Sequence, residues 1–599
     1  MHQNILSSQT TAVWERLKTY GTKDGGACQH IADLWCTYAA TRALAWLNTK
    51  PLDIQGCKDF VLNCQNGDGG FAWQRGMRSD IWATYYCTQT LAHLGCDIPR
   101  IPQLKNWLGS LLTVDGGFAM TPGQLPDIWA TYYAVRTLYE IVQQPIANPE
   151  RIYQWLCATQ QMSGGLGWNT QKQSADVRAC YYGTVAARVI DKNLSIVPSW
   201  DLQPLRQWLQ NRQYPSGGFA FQESSFVPCL WATFRAVRAL NALESEPINK
   251  EQCIQWILER KKPLSGFCRW ENYTVVDVWA CFSAVGALDT LGYRLTPTQS
   301  SDVVSFLQSC QMPGTGFTYR EPPYAGDSLA TAAIVISDQG KDKNTSTEVD
   351  SLQKSCTQWL QRAHMPFEDG VMYMPARGAE VRCTLWTLSA LNATRQMQLD
   401  AQRITRWFKE IQNPDGGFGY WYGRGSDILA TVSVLESLQL LNVAIDEINR
   451  DHVAQFLQRC STEVGIKYSP GGDIVLATTC QGIRGFLLLG MSNEAEKYIS
   501  TIAAYASKIG GYAAQPGGVP DLLSTYQAIF TQQVLGVHWE IDTVRRFLNK
   551  VRQSTGWYSW TPLSRQDAGP LATCLGLLLD RAVVARQSQT PVELLPLNL

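Results

Sequence analysis

Apolar and polar positions along this chain fall into blocks that repeat at roughly 46–53 residues. Each block has a stretch with apolar residues at helical spacing, then a turn built on Gly-Gly-aromatic, then an acid opening a second, mostly apolar stretch. The clearest turns are Asp68-Gly69-Gly70-Phe71 before Asp80, Asp115-Gly116-Gly117-Phe118 before Asp127, and Asp415-Gly416-Gly417-Phe418 before Asp427. The amphipathic stretches, such as 101–112, 251–260 and 405–411, predict outer helices. Trp recurs on their apolar faces at Trp107, Trp155, Trp208, Trp256, Trp359 and Trp407. Stretches such as Ile81–Leu94 predict inner helices, because a helix apolar on most faces has to be enclosed.

The predicted inner helices start at Asp33, Asp80, Asp127, Asp176, Pro228, Asp277, Asp327, Glu380, Asp427, Asp473, Asp521 and Asp567. About twelve units of one helical hairpin each divide most simply into two closed sets of six. An open solenoid of similar period competes, but the glycine-aromatic turns and enclosed inner helices favour an all-α fold of two (α/α)6 barrels. The expected division is a helix over 1–21, including Val13 and Trp14, docking on the second barrel, a first barrel over 22–295, and a second over 296–599. The acid at each inner-helix start is first of all an N-cap, accepting backbone N–H bonds and opposing the helix dipole.

Length supports this partition, since 599 residues exceed one ordinary core. With 51 basic and 51 acidic residues the formal net charge is zero, which offers no electrostatic footprint for nucleic acid. The 18 Cys lack metal-type spacing, and Cys36, Cys87, Cys180, Cys281 and Cys383 recur on the apolar face. They read as buried reduced thiols, so a cytoplasmic protein is expected. Met1-His2-Gln3-Asn4 starts no signal-peptide pattern, and no run of about twenty apolar residues predicts a bilayer span. Peripheral attachment to a membrane face stays open, as does oligomeric state.

The turns Gln65-Asn66-Gly67-Asp68-Gly69-Gly70-Phe71-Ala72-Trp73 and Gln160-Gln161-Met162-Ser163-Gly164-Gly165-Leu166-Gly167-Trp168 resemble the Gln-to-Trp repeats of the triterpene cyclase and prenyltransferase superfamily. The segments 413–420 and 213–219 are similar. Twelve units in two sets of six resemble class II terpene cyclases of the squalene–hopene and bacterial diterpene types. That resemblance implies one barrel inserted near the N-terminus of the other, in a βγ arrangement, and a reaction started by a buried Asp-x-Asp-Asp acid. Alkene protonation needs a carboxyl kept neutral by burial, and the resulting cation needs aromatic faces and a dry site.

By family order the acid motif opens the second inner helix of the later barrel, which here reads Glu380-Val381-Arg382-Cys383-Thr384-Leu385-Trp386. Aligning the following Thr places Glu380 on the first acid, with Arg382 and Cys383 on the last two. A shift of two places it on the middle, proton-donating acid. The motif is interrupted either way, and the chain contains no Asp-Asp pair. Glu380 is the leading candidate acid, with Asp327 and Asp427 in reserve; the alternative is a helix cap whose charge Arg382 or Arg377 holds. Tyr373, Trp386, Tyr420, Trp421, Tyr422, Trp557 and Trp560 are candidates to line a cavity, against a role in turn packing. Arg377, Arg382, Arg424 and Arg565 suit a diphosphate if they converge.

No zinc signature surrounds the six His, and neither a Gly-Cys-Gly-Glu-Gln thioester segment nor an Asp-Asp-x-x-Asp magnesium cluster is present. The resulting expectation is a class II-like cyclase of a linear polyprenyl substrate with a non-standard acid. It needs no metal for protonation, and Mg²⁺ enters only with a diphosphate substrate. The alternatives are a non-catalytic isoprenoid-binding or scaffold protein, and an isoprenoid enzyme with another initiating step.

Overall fold

Most inner helices in the computed structural model begin with a recurring small set of bonds. The structure describes residues 13, 15–29, 32–73, 78–146, 148–191, 200–225, 227–337, 347–365, 367–554, 556–564 and 568–599. Asp80 has extended backbone angles and its side chain accepts from the N–H groups of Trp82 and Ala83 at 2.9 and 3.2 Å. Asp127, Asp277 and Asp427 cap their helices in the same way. A cap of this kind contributes about 1 kcal/mol. Four residues on, a Thr hydroxyl accepts the N–H of the turn aromatic, as Thr84 does for Phe71 at 2.9 Å and Thr431 for Phe418 at 3.0 Å. At two of the expected starts the cap position belongs to Cys229 and Val475, not to Pro228 and Asp473. Asp567, Arg565 and Trp14 lie outside the described residues.

The paired glycines let the turn sit against the outer helix. Gly416 has φ +87°, and a Cβ there would meet the His452 carbonyl oxygen at 2.2 Å. A Cβ on Gly417 would meet Ser426 at 2.6 Å and the Phe456 ring at 2.9 Å. Only a residue without a side chain fits both positions.

The inner helices Leu34–Trp46, Ile81–Leu94, Ile128–Arg136, Val177–Ile190, Leu230–Ala242 and Val278–Thr290 pack neighbour against neighbour, and the last closes on the first. So do Ser328–Ser337, Val381–Ala393, Ile428–Leu440, Leu476–Leu488, Leu522–Val534 and Gly569–Gln587. Both sets are therefore closed (α/α)6 rings, and not turns of an open superhelix. Among the described residues the structure is all-helical, with isolated bridges only at the turns, and no helix is long and apolar enough to cross a membrane.

The division of the chain differs from the expected boundaries at 21/22 and 295/296. One unit comprises residues 31–322, and the other residues up to 30 together with 323–599. The reason is an exchange of turns. Phe317 precedes Asp327 in sequence, yet its N–H bonds the Thr37 hydroxyl at 3.0 Å and its carbonyl takes the Asp33 N–H at 3.1 Å. Ala27 precedes Asp33, yet it bonds the Thr331 hydroxyl at 2.9 Å and takes the Asp327 N–H at 2.8 Å. Helix Pro297–Ser309 consequently belongs to the first set, packing on Val278–Thr290 and Leu34–Trp46. We call 31–322 the inserted ring and the remainder the split ring.

The inserted ring is filled by its own side chains. Five residues beyond each cap stand Tyr38, Tyr85, Tyr132, Tyr181, Phe234 and Phe282. Successive centroids around this closed cycle lie 5.6, 5.7, 5.3, 5.7, 5.0 and 5.8 Å apart. Arg136 donates to the hydroxyls of Tyr85 and Tyr132 within it. Such tilted contacts add to the burial of the rings themselves.

Candidate functional site

In the split ring the first N–H of five inner helices donates to the backbone just past the next turn, Leu476 to Ala514 at 3.0 Å among them. Ser328 bonds the Tyr373 carbonyl, Val381 that of Tyr420, Ile428 that of Tyr468, and Leu522 that of Trp560, all at 2.9 Å. This register places Tyr373, Tyr420, Tyr468 and Trp560 at equivalent points of one rim, beside the helix starts of Asp327, Glu380 and Asp427. The three acids head adjacent helices.

Their environments differ. Asp327 is buried, and its side chain accepts the Ala330 N–H at 2.8 Å. Burial pushes this carboxyl up to about 7, against the Ala330 and Gln29 backbone bonds and the charge of Arg377. Asp427 caps Ala330's counterpart, Ala430, at 2.8 Å and receives the Tyr468 hydroxyl on Oδ2 at 2.9 Å. Burial raises it to about 6, opposed by those two bonds and by Arg424 and Arg382.

Glu380 has the same extended backbone but no side-chain cap bond. Its additional methylene carries the carboxylate past the N–H groups to Arg382, whose Nε lies 2.5 Å from Oε1, and to the Cys383 thiol, which donates to Oε2 at 3.3 Å. Thr384 accepts from the Val371 N–H at 3.2 Å and donates to the Glu380 carbonyl at 2.9 Å. Glu380 thus stands in the register of the other capping acids, with Arg382 and Cys383 following it. Although burial opposes its charge, Glu380 and Tyr420 hold the Arg382 guanidinium above its ordinary value. It lies 4.8 Å over the Tyr420 ring, and Arg377 lies 4.5 Å over that of Tyr373. Trp421 packs 6.0 Å from Tyr420, and its carbonyl accepts the Arg424 N–H at 3.1 Å. Tyr422 follows in the same turn, half-buried.

Two candidates have other surroundings. Trp557 sits in its turn, its carbonyl accepting from Gln553 at 2.9 Å. Trp386 is fully buried deeper in the ring, and its indole N–H donates to the Asn598 carbonyl at 2.8 Å. At that depth residues 594–598 bond to side chains of the inner helices. Ser389 bonds the Pro596 carbonyl at 3.0 Å, Tyr526 that of Leu595 at 2.8 Å, and Gln527 that of Leu597 at 2.7 Å. The lining here is polar, including the buried ion pair of Arg484 with Glu436 at 2.7 Å. Trp386 lies six residues beyond Glu380, about 9 Å along the helix at 1.5 Å per residue. The segment therefore forms a floor beneath the rim.

Tyr468 and Cys383 contact the acids but were not selected as site residues by sequence reasoning. Tyr468 follows Ile466 as Tyr420 follows Phe418, so the repeat itself carried the signal. Among the described residues no group of three or more His, Cys, Asp and Glu is placed to hold a metal ion.

The model of the prenyltransferase alpha-alpha toroid domain matches residues 2–80, 74–272, 269–385, 352–474 and 477–571. No curated protein sequence matches the chain. Similar solved structures include ent-copalyl diphosphate synthase from Streptomyces platensis, at 13% identity and TM-score 0.42, covering 92% of this chain and 95% of that one. A Candida albicans protein geranylgeranyltransferase-I complexed with GGPP is 17% identical with TM-score 0.36, covering 52% of this chain and 92% of that one. The type II terpene cyclase MstE from Scytonema is 16% identical with TM-score 0.33, covering 48% and 97%. Likeness at this level carries no argument about chemistry.

Proposed function

The chain belongs to the prenyltransferase alpha-alpha toroid family, and from that premise we propose that it is a class II-like isoprenoid cyclase acting at the rim of the split ring, with Asp427 as its acid. A linear polyprenyl substrate would lay its apolar chain against Tyr373, Tyr420, Trp421 and Tyr422. If it carries a diphosphate, Arg377, Arg382 and Arg424 would take that group. Mg²⁺ would then accompany the substrate as a counter-ion, whereas the protonation step needs no metal.

The step begins with Asp427 carrying its proton. That proton passes to the terminal alkene carbon, the π pair forming the new C–H bond and leaving a tertiary cation. A second alkene closes the ring, and loss of a proton from the final cation balances the one supplied. The Tyr468 hydroxyl and the Ala430 N–H would stabilise the carboxylate left behind.

One contrast supports this reading above others: Glu380 is committed to Arg382 at 2.5 Å, while burial raises Asp427 beside a rim tyrosine. The two Glu380 oxygens are taken by Arg382 and by the Cys383 thiol. Asp327, raised by the same cause, is the reserve acid. A second reading, a non-catalytic isoprenoid-binding protein, is favoured by Arg382 standing two residues beyond the cap, in a place the resemblance assigns to an acid.

Incubation of the purified chain with C15, C20 and C30 polyprenyl substrates, with products identified by mass, tests the proposal. Cyclised product from the wild type and from Glu380→Gln, and none from a folded Asp427→Asn, is expected. Binding without product would favour the second reading, and unchanged turnover in Asp427→Asn would remove Asp427 from the reaction.

A further inference from the structure

Asn598 is fully buried, and its side-chain amide uses both of its ends. Nδ2 donates to Ser433 Oγ and to Glu436 Oε2, each at 2.9 Å. Oδ1 accepts from Arg484 Nη2 at 3.2 Å and from Gln527 Nε2 at 3.3 Å. One neutral amide thereby bridges both members of a buried ion pair. Because it is a donor and an acceptor at once, it matches a carboxylate and a guanidinium side by side, which no apolar or singly charged side chain does.

The rest of the segment is read through its backbone. Carbonyls of residues 595–598 accept from side chains on Val381–Ala393 and Leu522–Val534, and Leu595 N–H donates back to the Tyr526 hydroxyl at 3.1 Å. Leu594 and Leu597 supply the buried apolar surface. Recognition of backbone groups at successive residues, with one polar side chain specified, is how a site takes an extended peptide. The ring does not require the segment for closure, since its six inner helices already complete the circle.

We propose that the middle of the split ring is a peptide-binding channel, specific for an extended apolar peptide with Asn at the depth of Asn598, and that residues 592–599 are its exchangeable occupant. This site is separate from the rim chemistry and stands whether or not the chain is a cyclase.

The test uses the full chain. In Asn598→Ala, hydrogen exchange at the amides of 594, 595 and 597–599 rises at least tenfold, while amides of the surrounding helices, 384–390 and 480–486, keep their protection. A fluorescent synthetic peptide of residues 591–599 then binds the Asn598→Ala chain at one site. It does not bind the wild type, whose channel is filled, and the same peptide with Asn598→Ala does not bind either chain. Loss of protection in helices and segment together would show the segment to be part of the core and overturn the proposal. So would absence of peptide binding to a folded Asn598→Ala chain.

Discussion

Arg382 Nε lies 2.5 Å from Glu380 Oε1, two residues away at the head of one inner helix. The neighbouring acids Asp327 and Asp427 accept from backbone N–H groups instead. An Arg two residues on also pairs with Asp176, which keeps its cap bond, so what the extra methylene of Glu380 changes is the cap, not the pairing.

Breaking that pair should be felt in stability. Glu380→Gln leaves the guanidinium without its carboxylate, at an expected cost of about 1–3 kcal/mol, moderated by the partial exposure of Arg382. Arg382→Met in the same chain should recover part of the loss. Denaturant unfolding of the two single variants and the double variant gives the coupling; additive effects would mean that the two groups do not interact.

The raised acids have a defined pH signature. Asp327 and Asp427 bind protons more tightly when folded than their ordinary 3.8, with values of about 7 and about 6. Their contribution is thus complete below about pH 4 and is lost as pH rises through 6 to 7. Asp427→Asn retains a capping oxygen but not the titration, so it should flatten the decline by on the order of 3 kcal/mol. Unfolding free energies between pH 4 and pH 8 measure this, and parallel curves for variant and wild type would contradict it.

Tyr468→Phe removes the hydroxyl that lowers the Asp427 value. The acid should then hold its proton to higher pH, moving the alkaline limb of turnover upward, with about 1–3 kcal/mol of stability lost. A pH–rate profile reads the direction; a limb that stays in place or moves down would separate Tyr468 from the acid.

Gly417→Ala tests the packing of the turn. Its Cβ would lie 2.6 Å from Ser426 and 2.9 Å from the Phe456 ring, so the turn has to leave the outer helix at a cost of roughly 1–3 kcal/mol. Gly425→Ala, where a Cβ meets nothing within 4 Å, is the control and should stay close to wild type in thermal unfolding.

The periodic glycines, acids and threonines made the closed rings readable from sequence, because each unit repeats the bonds seen at Asp80, Thr84 and Phe71. The ring boundaries were not readable. The turn at Ala27 and the turn at Phe317 suit Asp33 and Asp327 equally well, so only tertiary structure shows that they are exchanged. The acids at the rim were legible as helix starts, and Arg382 as one of two partners for Glu380, whereas the loss of the Glu380 cap bond depends on where one longer side chain points. The filling of the split ring lay beyond periodicity altogether, since Asn598 belongs to no repeat and meets Glu436 and Arg484 only in space.

The most direct test of protonation at this rim is turnover of a C20 polyprenyl substrate in deuterium oxide, with mass analysis of the product. Cyclised product carrying one deuterium, made by the wild type and by Glu380→Gln and not by folded Asp427→Asn, is the predicted result. Product without deuterium, or deuterated product at an undiminished rate from Asp427→Asn, would contradict it.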